Sequence, residues 1–94
     1  MEVAIAKSFI KDMKSAFKPV QLAADAAIRK LMESKSLQAS GLDSTKMEGQ
    51  RKGENYYRIR IGDWRMGIEY IHPKVIVLRI LSRGTIYKHF PPDN

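Results

Sequence analysis

Ninety-four residues carry 17 Lys and Arg against 10 Asp and Glu, a formal net charge of +7, with no cysteine. That length suits a single domain over residues 1–94. The missing cysteines exclude a disulfide framework and a thiolate metal site and fit a reducing cytoplasm. The charge suits a polyanion such as nucleic acid, or an acidic protein. The two histidines, His72 and His89, are far apart in sequence and have no carboxylate cluster beside them, so neither a metal nor another cofactor is expected. No apolar run reaches membrane-spanning length, and the charged N-terminal stretch is no signal peptide, so no membrane partner is expected.

In chain order, Glu2 to Ala6 places Val3 and Ile5 in phase and reads as a short first strand. From Lys7 to Phe17 the period becomes helical, with Phe9, Ile10, Met13 and Phe17 on one face. Lys7, Lys11, Lys14 and Lys18 mark the opposite face; this is a solvated stripe or, functionally, a set of auxiliary phosphate contacts. Pro19 is placed to begin a second helix. Val20, Ala24, Ala27, Ile28 and Leu31 form its buried stripe, and the small alanines predict an antiparallel pairing with the first helix on one side of a sheet. Gly41 to Asn55 is polar and glycine-punctuated and reads as a connecting loop. Its Lys46, Arg51 and Lys52 are ordinary loop charges or, beside an arginine sheet, guides for RNA.

Tyr56 to Tyr70 alternates apolar and charged residues around Gly62-Asp63, the pattern of a β-hairpin with a Gly-first, type II′ loop. Its register sets Arg60 opposite Arg65, Ile59 opposite Met66, Arg58 opposite Gly67 and Tyr57 opposite Ile68. Tyr57, Ile59, Ile61, Trp64, Met66, Ile68 and Tyr70 then share the core face. Arg58, Arg60 and Arg65 share the other, with Glu69 as counter-charge. Two arginines directly opposite repel. An isolated pair of this kind is more often solvated surface charge than an anion site.

His72-Pro73-Lys74 is a turn, and Val75 to Leu81 an apolar strand buried on both faces. A three-residue turn sets Leu78 opposite Ile68 and Ile80 opposite Met66 and sends Arg83 to the arginine face. It also brings Arg79 near Glu69 as a structural pair. A two-residue turn would drive Arg79 into the core and is rejected on that ground. In the tail, a helical turn puts Arg83 and Tyr87 on one side, with Ile86 and Phe90 anchoring the other.

Arg58, Arg60, Arg65 and Arg83 thus converge with Tyr87 at their rim. Guanidinium forks match phosphate oxygens, and such a cluster can hold a scissile phosphate and its extra transition-state charge. Without a metal site, strand scission would use the RNA's own 2′-hydroxyl as nucleophile, with a general base and a general acid. Tyr87, with its pKa lowered by the arginines, and His89 are the candidates to move protons.

Tyr56-Tyr57-Arg58-Ile59-Arg60-Ile61-Gly62-Asp63-Trp64-Arg65-Met66-Gly67, the apolar strand after it, and Arg83-Gly84-Thr85-Ile86-Tyr87-Lys88-His89-Phe90-Pro91 together resemble the RelE/ParE family of type II toxins. Lys46-Met47-Glu48-Gly49 and the strand–two-helix start fit as well, so the resemblance spans nearly the whole chain. It implies an α+β fold: a short N-terminal strand, a two-helix hairpin, and roughly three or four mainly antiparallel strands with a concave basic face. RelE-type members are ribosome-dependent mRNA endonucleases, neutralised by an acidic antitoxin bound as a hetero-oligomer. By motif position Arg58, Arg60, Arg65, Arg83 and Tyr87 are the catalytic candidates; His89 joins them as the nearby group that titrates near neutrality, and Lys46, Arg51, Lys52 and Lys88 are the RNA-binding ones by their charge. Family members often carry lysine at the paired strand positions, one of them a proposed base. Arg60 does not deprotonate, so either Tyr87, His89 or a loop lysine takes that role, or cleavage is weak. Two other readings stand beside this one: a ParE-type inhibitor of DNA gyrase, and a non-catalytic module that binds RNA or an acidic protein.

Overall fold

The structure, a computed structural model, describes residues 1–92. A five-stranded sheet in the order β1-β5-β4-β3-β2 carries helices on one face and a short C-terminal helix on the other. The elements are β1 (Glu2–Ile5), α1 (Lys7–Ser15), α2 (Lys18–Glu33), β2 (Ser44–Lys46), β3 (Tyr56–Ile61), β4 (Trp64–Ile71), β5 (Lys74–Ser82) and α3 (Ile86–His89), with a 3-10 turn at Gln38–Ser40. β1 runs parallel to β5, and every other pairing is antiparallel. The expected α+β class is therefore present, with one strand more than the sequence shows. β2 lies inside the stretch expected to be loop. Three polar residues at a sheet edge give no apolar alternation to detect.

The β3–β4 hairpin has the expected register, Ile61 opposite Trp64 and Arg60 opposite Arg65. Gly62 has φ 59°, and Asp63 stays out of the positive region, as a Gly-first two-residue loop requires. Ile59, Met66 and Ile68 are fully buried with Val75, Val77, Ile80, Phe9 and Leu31 in the main core.

The next turn departs from expectation. Ile71 pairs with Lys74, so the loop is the two-residue His72-Pro73, and a bulge between Gly67 and Ile68 restores the phase. Ile68 faces Val77 rather than Leu78, whereas Ile80 faces Met66 as expected. The extra residue lets Val77 and Ile80 both enter the main core while Leu78 and Leu81 both pack on the outer face. It also frees Arg79, which pairs with Asp12 of α1 and not with Glu69. Its Nε lies 2.7 Å from Asp12 Oδ2 and its terminal nitrogen 3.1 Å from Oδ1.

That pair shows how α1 is used. β1 covers the edge of β5 only as far as Val77. Beyond it, Ser8 donates to the Leu78 carbonyl at 2.6 Å, and the Ile80 N–H donates to Asp12 at 3.1 Å. Two side chains one helical turn apart thus stand in for a strand. α1 ends at Ser15, where Gln21 caps the carbonyls of Met13 and Ala16. Phe17 therefore lies outside the helix and is 72% exposed, with its ring edge-on to Trp64, and Ile10 is 49% exposed; neither is the core residue its spacing predicts. The alanines of α2 serve the sheet rather than α1: Ala24 and Ala27 are buried in the main core, and α2 approaches β1 and β3.

Candidate active site on the outer face of the sheet

On the face away from α1 and α2, α3 packs over the end of the sheet where β4 and β5 meet. Ile86 and Phe90 are buried with Met47, against Tyr56, Leu78 and Leu81. Gly67 makes this possible, because a Cβ there would stand 2.9 Å from ring carbons of Phe90. A glycine inside a strand often marks such a close approach, and it is the one sequence sign of where α3 docks.

The rest of this face is open and basic. Asp43 precedes β2 and is tied to β3 by the Arg60 N–H, which donates to its carbonyl at 2.8 Å. Pairing of Ser44 with Ile59 and of Arg60 with Arg65 then aligns Asp43, Arg60 and Arg65 across three neighbouring strands. In the adjacent row Thr45 pairs with Arg58, which faces Gly67. Asp43, Thr45, Arg58, Arg60 and Arg65 line a pocket of about 160 Å³. Thr45 and Arg58 also wall a larger groove of about 410 Å³ with Lys46, Glu48, Tyr87 and Phe90. The two share a wall and form one trough.

Arg65 is the one charged residue buried among those described, 9% exposed. Its guanidinium folds back onto the hairpin loop, donating to the carbonyls of Gly62 at 2.8 Å and Trp64 at 2.9 Å. Burial above all, then the neighbouring Arg60, Arg58 and Arg83, lowers its pKa from the ordinary arginine value, with Asp43 acting in the opposite sense. An arginine remains charged regardless. Beyond the cost of burial, the neighbouring arginines crowd positive charge around it, and a bound anion would relieve that repulsion.

Arg83 is exposed in the turn after β5, and its N–H donates at 2.8 Å to the Asp63 carbonyl, which fixes it beside the hairpin loop. Tyr87 projects from α3, 55% exposed, with the Arg58 guanidinium carbon 5.2 Å from its ring centroid. This is a cation–π contact with the ring face. The expected arginines and Tyr87 are thus brought together, and Lys46 joins them. Lys88 and His89 are exposed on α3 outside the lining of either groove. Arg51 lines a separate hollow with Glu48, Glu54 and Pro91, and Lys52 is exposed in the same loop. Burial, then Glu69 and Glu54, pushes the Tyr56 phenol up, which keeps it protonated and neutral. Sequence reasoning missed Asp43 and Thr45, since the strand that presents them has no apolar alternation.

Residues 3–87 match the model of the ParE toxin of the type II toxin–antitoxin system parDE. Toxin RelE3 of Methanocaldococcus jannaschii is 38% identical over 91 residues, covering 97% of this chain and 100% of that protein. The structure also resembles that of the RelB-RelE antitoxin–toxin complex from Methanococcus jannaschii, with TM-score 0.76 and 36% identity over 94% of this chain and 99% of that one. The archaeal RelE-RelB complex from Pyrococcus horikoshii OT3 gives TM-score 0.65 and 25% identity, covering 88% of this chain and 94% of that one. The chain belongs to the RelE/ParE family: it is a RelE-like toxin of a type II toxin–antitoxin system. No helix among the described residues is long and apolar enough to cross a membrane.

Proposed function

We propose that this toxin is a ribosome-dependent endoribonuclease of the cytoplasm. It would cleave mRNA through attack of a 2′-hydroxyl on the adjacent phosphate and so stop translation. The carrying observation is the row of Arg60 and Arg65, flanked by Arg58 and Arg83, with the Tyr87 ring over Arg58. A phosphate seated there meets guanidinium forks that also stabilise the charge developing on its equatorial oxygens. Those arginines supply the charge that metal ions supply at many other phosphoryl-transfer sites. Tyr87 is placed to stack on a flanking base and to protonate the departing 5′-oxygen. Lys46 in the groove holds the neighbouring backbone, while Arg51, Lys52 and Lys88, outside both grooves, add longer-range attraction for the RNA.

The relatives solved as antitoxin–toxin complexes, together with the +7 charge, support an acidic antitoxin that joins this chain in a hetero-oligomer. The ParE description of the family model supports a second reading, inhibition of DNA gyrase. Incubating the purified protein with mRNA-programmed ribosomes and mapping 5′ ends decides between them. Cuts within the ribosomal A site are expected. Intact mRNA with gyrase-dependent DNA breaks would establish the second reading, and salt-sensitive RNA binding without either would establish a non-catalytic binding module.

A further inference from the structure

We propose that Asp43 is the general base of the cleavage reaction, taking the proton of the attacking 2′-hydroxyl; this rests on the endoribonuclease reading above. The arginines of the pocket cannot accept a proton, and a threonine hydroxyl is no base at neutral pH. Of the groups lining the 160 Å³ pocket, that leaves the Asp43 carboxylate. Its backbone is fixed by the Arg60 N–H, so it stands at the β2 end of the row that holds Arg60 and Arg65. Among the described residues its carboxylate makes no ion pair and no hydrogen bond, whereas that of Asp12 is fully engaged by Arg79 and Ile80. The carboxylate is exposed and free to act.

A site that only held phosphate would gain by losing this negative charge, since a like charge beside the ligand weakens binding. Keeping it there makes sense for proton transfer. The 2′-oxygen is attached to the ribose carbon next to the one that bears the phosphate. A group lining the same small pocket as the phosphate-holding arginines is therefore within its reach. The proton passes from the 2′-oxygen to Asp43 as the bond from that oxygen to phosphorus forms. The bond from phosphorus to the 5′-oxygen breaks, and the leaving oxygen takes a proton from Tyr87 or water. The products are a 2′,3′-cyclic phosphate and a 5′-hydroxyl, and Asp43 returns its proton to solvent.

The test compares Asp43→Asn with wild type in two assays: single-turnover cleavage on programmed ribosomes, and binding of an mRNA with a 2′-deoxy residue at the scissile position. Loss of a general base lowers cleavage by about 10²–10⁴-fold, while binding stays equal or tightens because a negative charge is gone. Asp25→Asn, on the outer side of α2, removes the same charge and leaves both unchanged. Asp43→Glu recovers part of the lost rate. Cleavage by Asp43→Asn at the wild-type rate, or a parallel fall in binding, overturns the assignment. A wild-type protein that leaves ribosome-bound mRNA intact overturns the endoribonuclease reading itself, and Asp43 as base with it.

Discussion

Gly67→Ala tests whether the seat of α3 is as tight as it looks. The new methyl group would stand 2.9 Å, 2.9 Å and 3.0 Å from three ring carbons of Phe90, where ordinary contact begins at 3.4 Å. The ring must therefore retreat by about 0.5 Å in a close-packed interior. It has little room, being 2% exposed and packed with Ile86, Met47 and an edge-on Tyr56. Overpacking of this kind costs about 1–3 kcal/mol. Local propensity argues the opposite way, since alanine in place of an unstrained strand glycine saves about 0.5–1 kcal/mol of backbone entropy. The sign of the change is thus diagnostic. α3 carries Tyr87, so a shift of about 1 Å at the site would lower cleavage by about 10²-fold even where the protein is fully folded. Urea denaturation reads the first effect and cleavage well below the midpoint the second. Phe90→Leu in the Gly67→Ala background should restore part of the lost stability, a non-additivity expected only of residues in contact. A Gly67→Ala midpoint at or above wild type, or strict additivity with Phe90→Leu, would refute the packing account.

Three further substitutions address the site and its support. Arg65→Lys keeps the charge but loses the fork that reaches back to the Gly62 and Trp64 carbonyls. Cleavage should collapse for a stability loss of about 1 kcal/mol in denaturant titration, and wild-type cleavage by this variant would show that charge alone suffices. Tyr87→Phe keeps the ring over Arg58, so melting temperature and RNA affinity should hold while the cleavage rate drops; unaltered cleavage removes the hydroxyl from the mechanism. Asp12→Ala strands the Arg79 guanidinium and the Ile80 N–H. It should lower stability by about 1–3 kcal/mol without changing RNA affinity, and an unmoved urea midpoint would mean that α1 does not hold that edge.

The hairpin was legible because its information is local: a Gly-first loop fixes the register, and with it which arginines face each other. The tail was legible for a similar reason, with Ile86 and Phe90 one turn apart. β5 was legible as a strand but not in its register between the turn and the bulge, because pattern counting turns the extra residue of a bulge into a longer loop. The assumption that Arg79 had to avoid the core was sound, but the chain meets it with an extra residue in the strand and an acidic partner from α1. Ile10 and Phe17 misled because their spacing extends a helical stripe past the point where the helix stops. Asp43 escaped notice because nothing about a lone aspartate in a polar stretch reveals that three strands will line it up with two arginines.

The parallel pairing of β1 with β5 also governs the order in which the structure forms. β3, β4 and β5 are joined by two-residue loops and can zip together with little loop-closure entropy. β1 must instead find a partner near the other end of the chain, Glu2 meeting Lys74. Such non-local contacts slow folding, and β1, exposed at three of its four residues, has few buried contacts to resist local opening. In native-state hydrogen exchange, the amides of β1 should therefore exchange ahead of those in β4. Arg60 and Arg65 face each other across the β3–β4 hairpin, which has no strand pairing with β1, so the first strand can detach while that arginine pair stays in register.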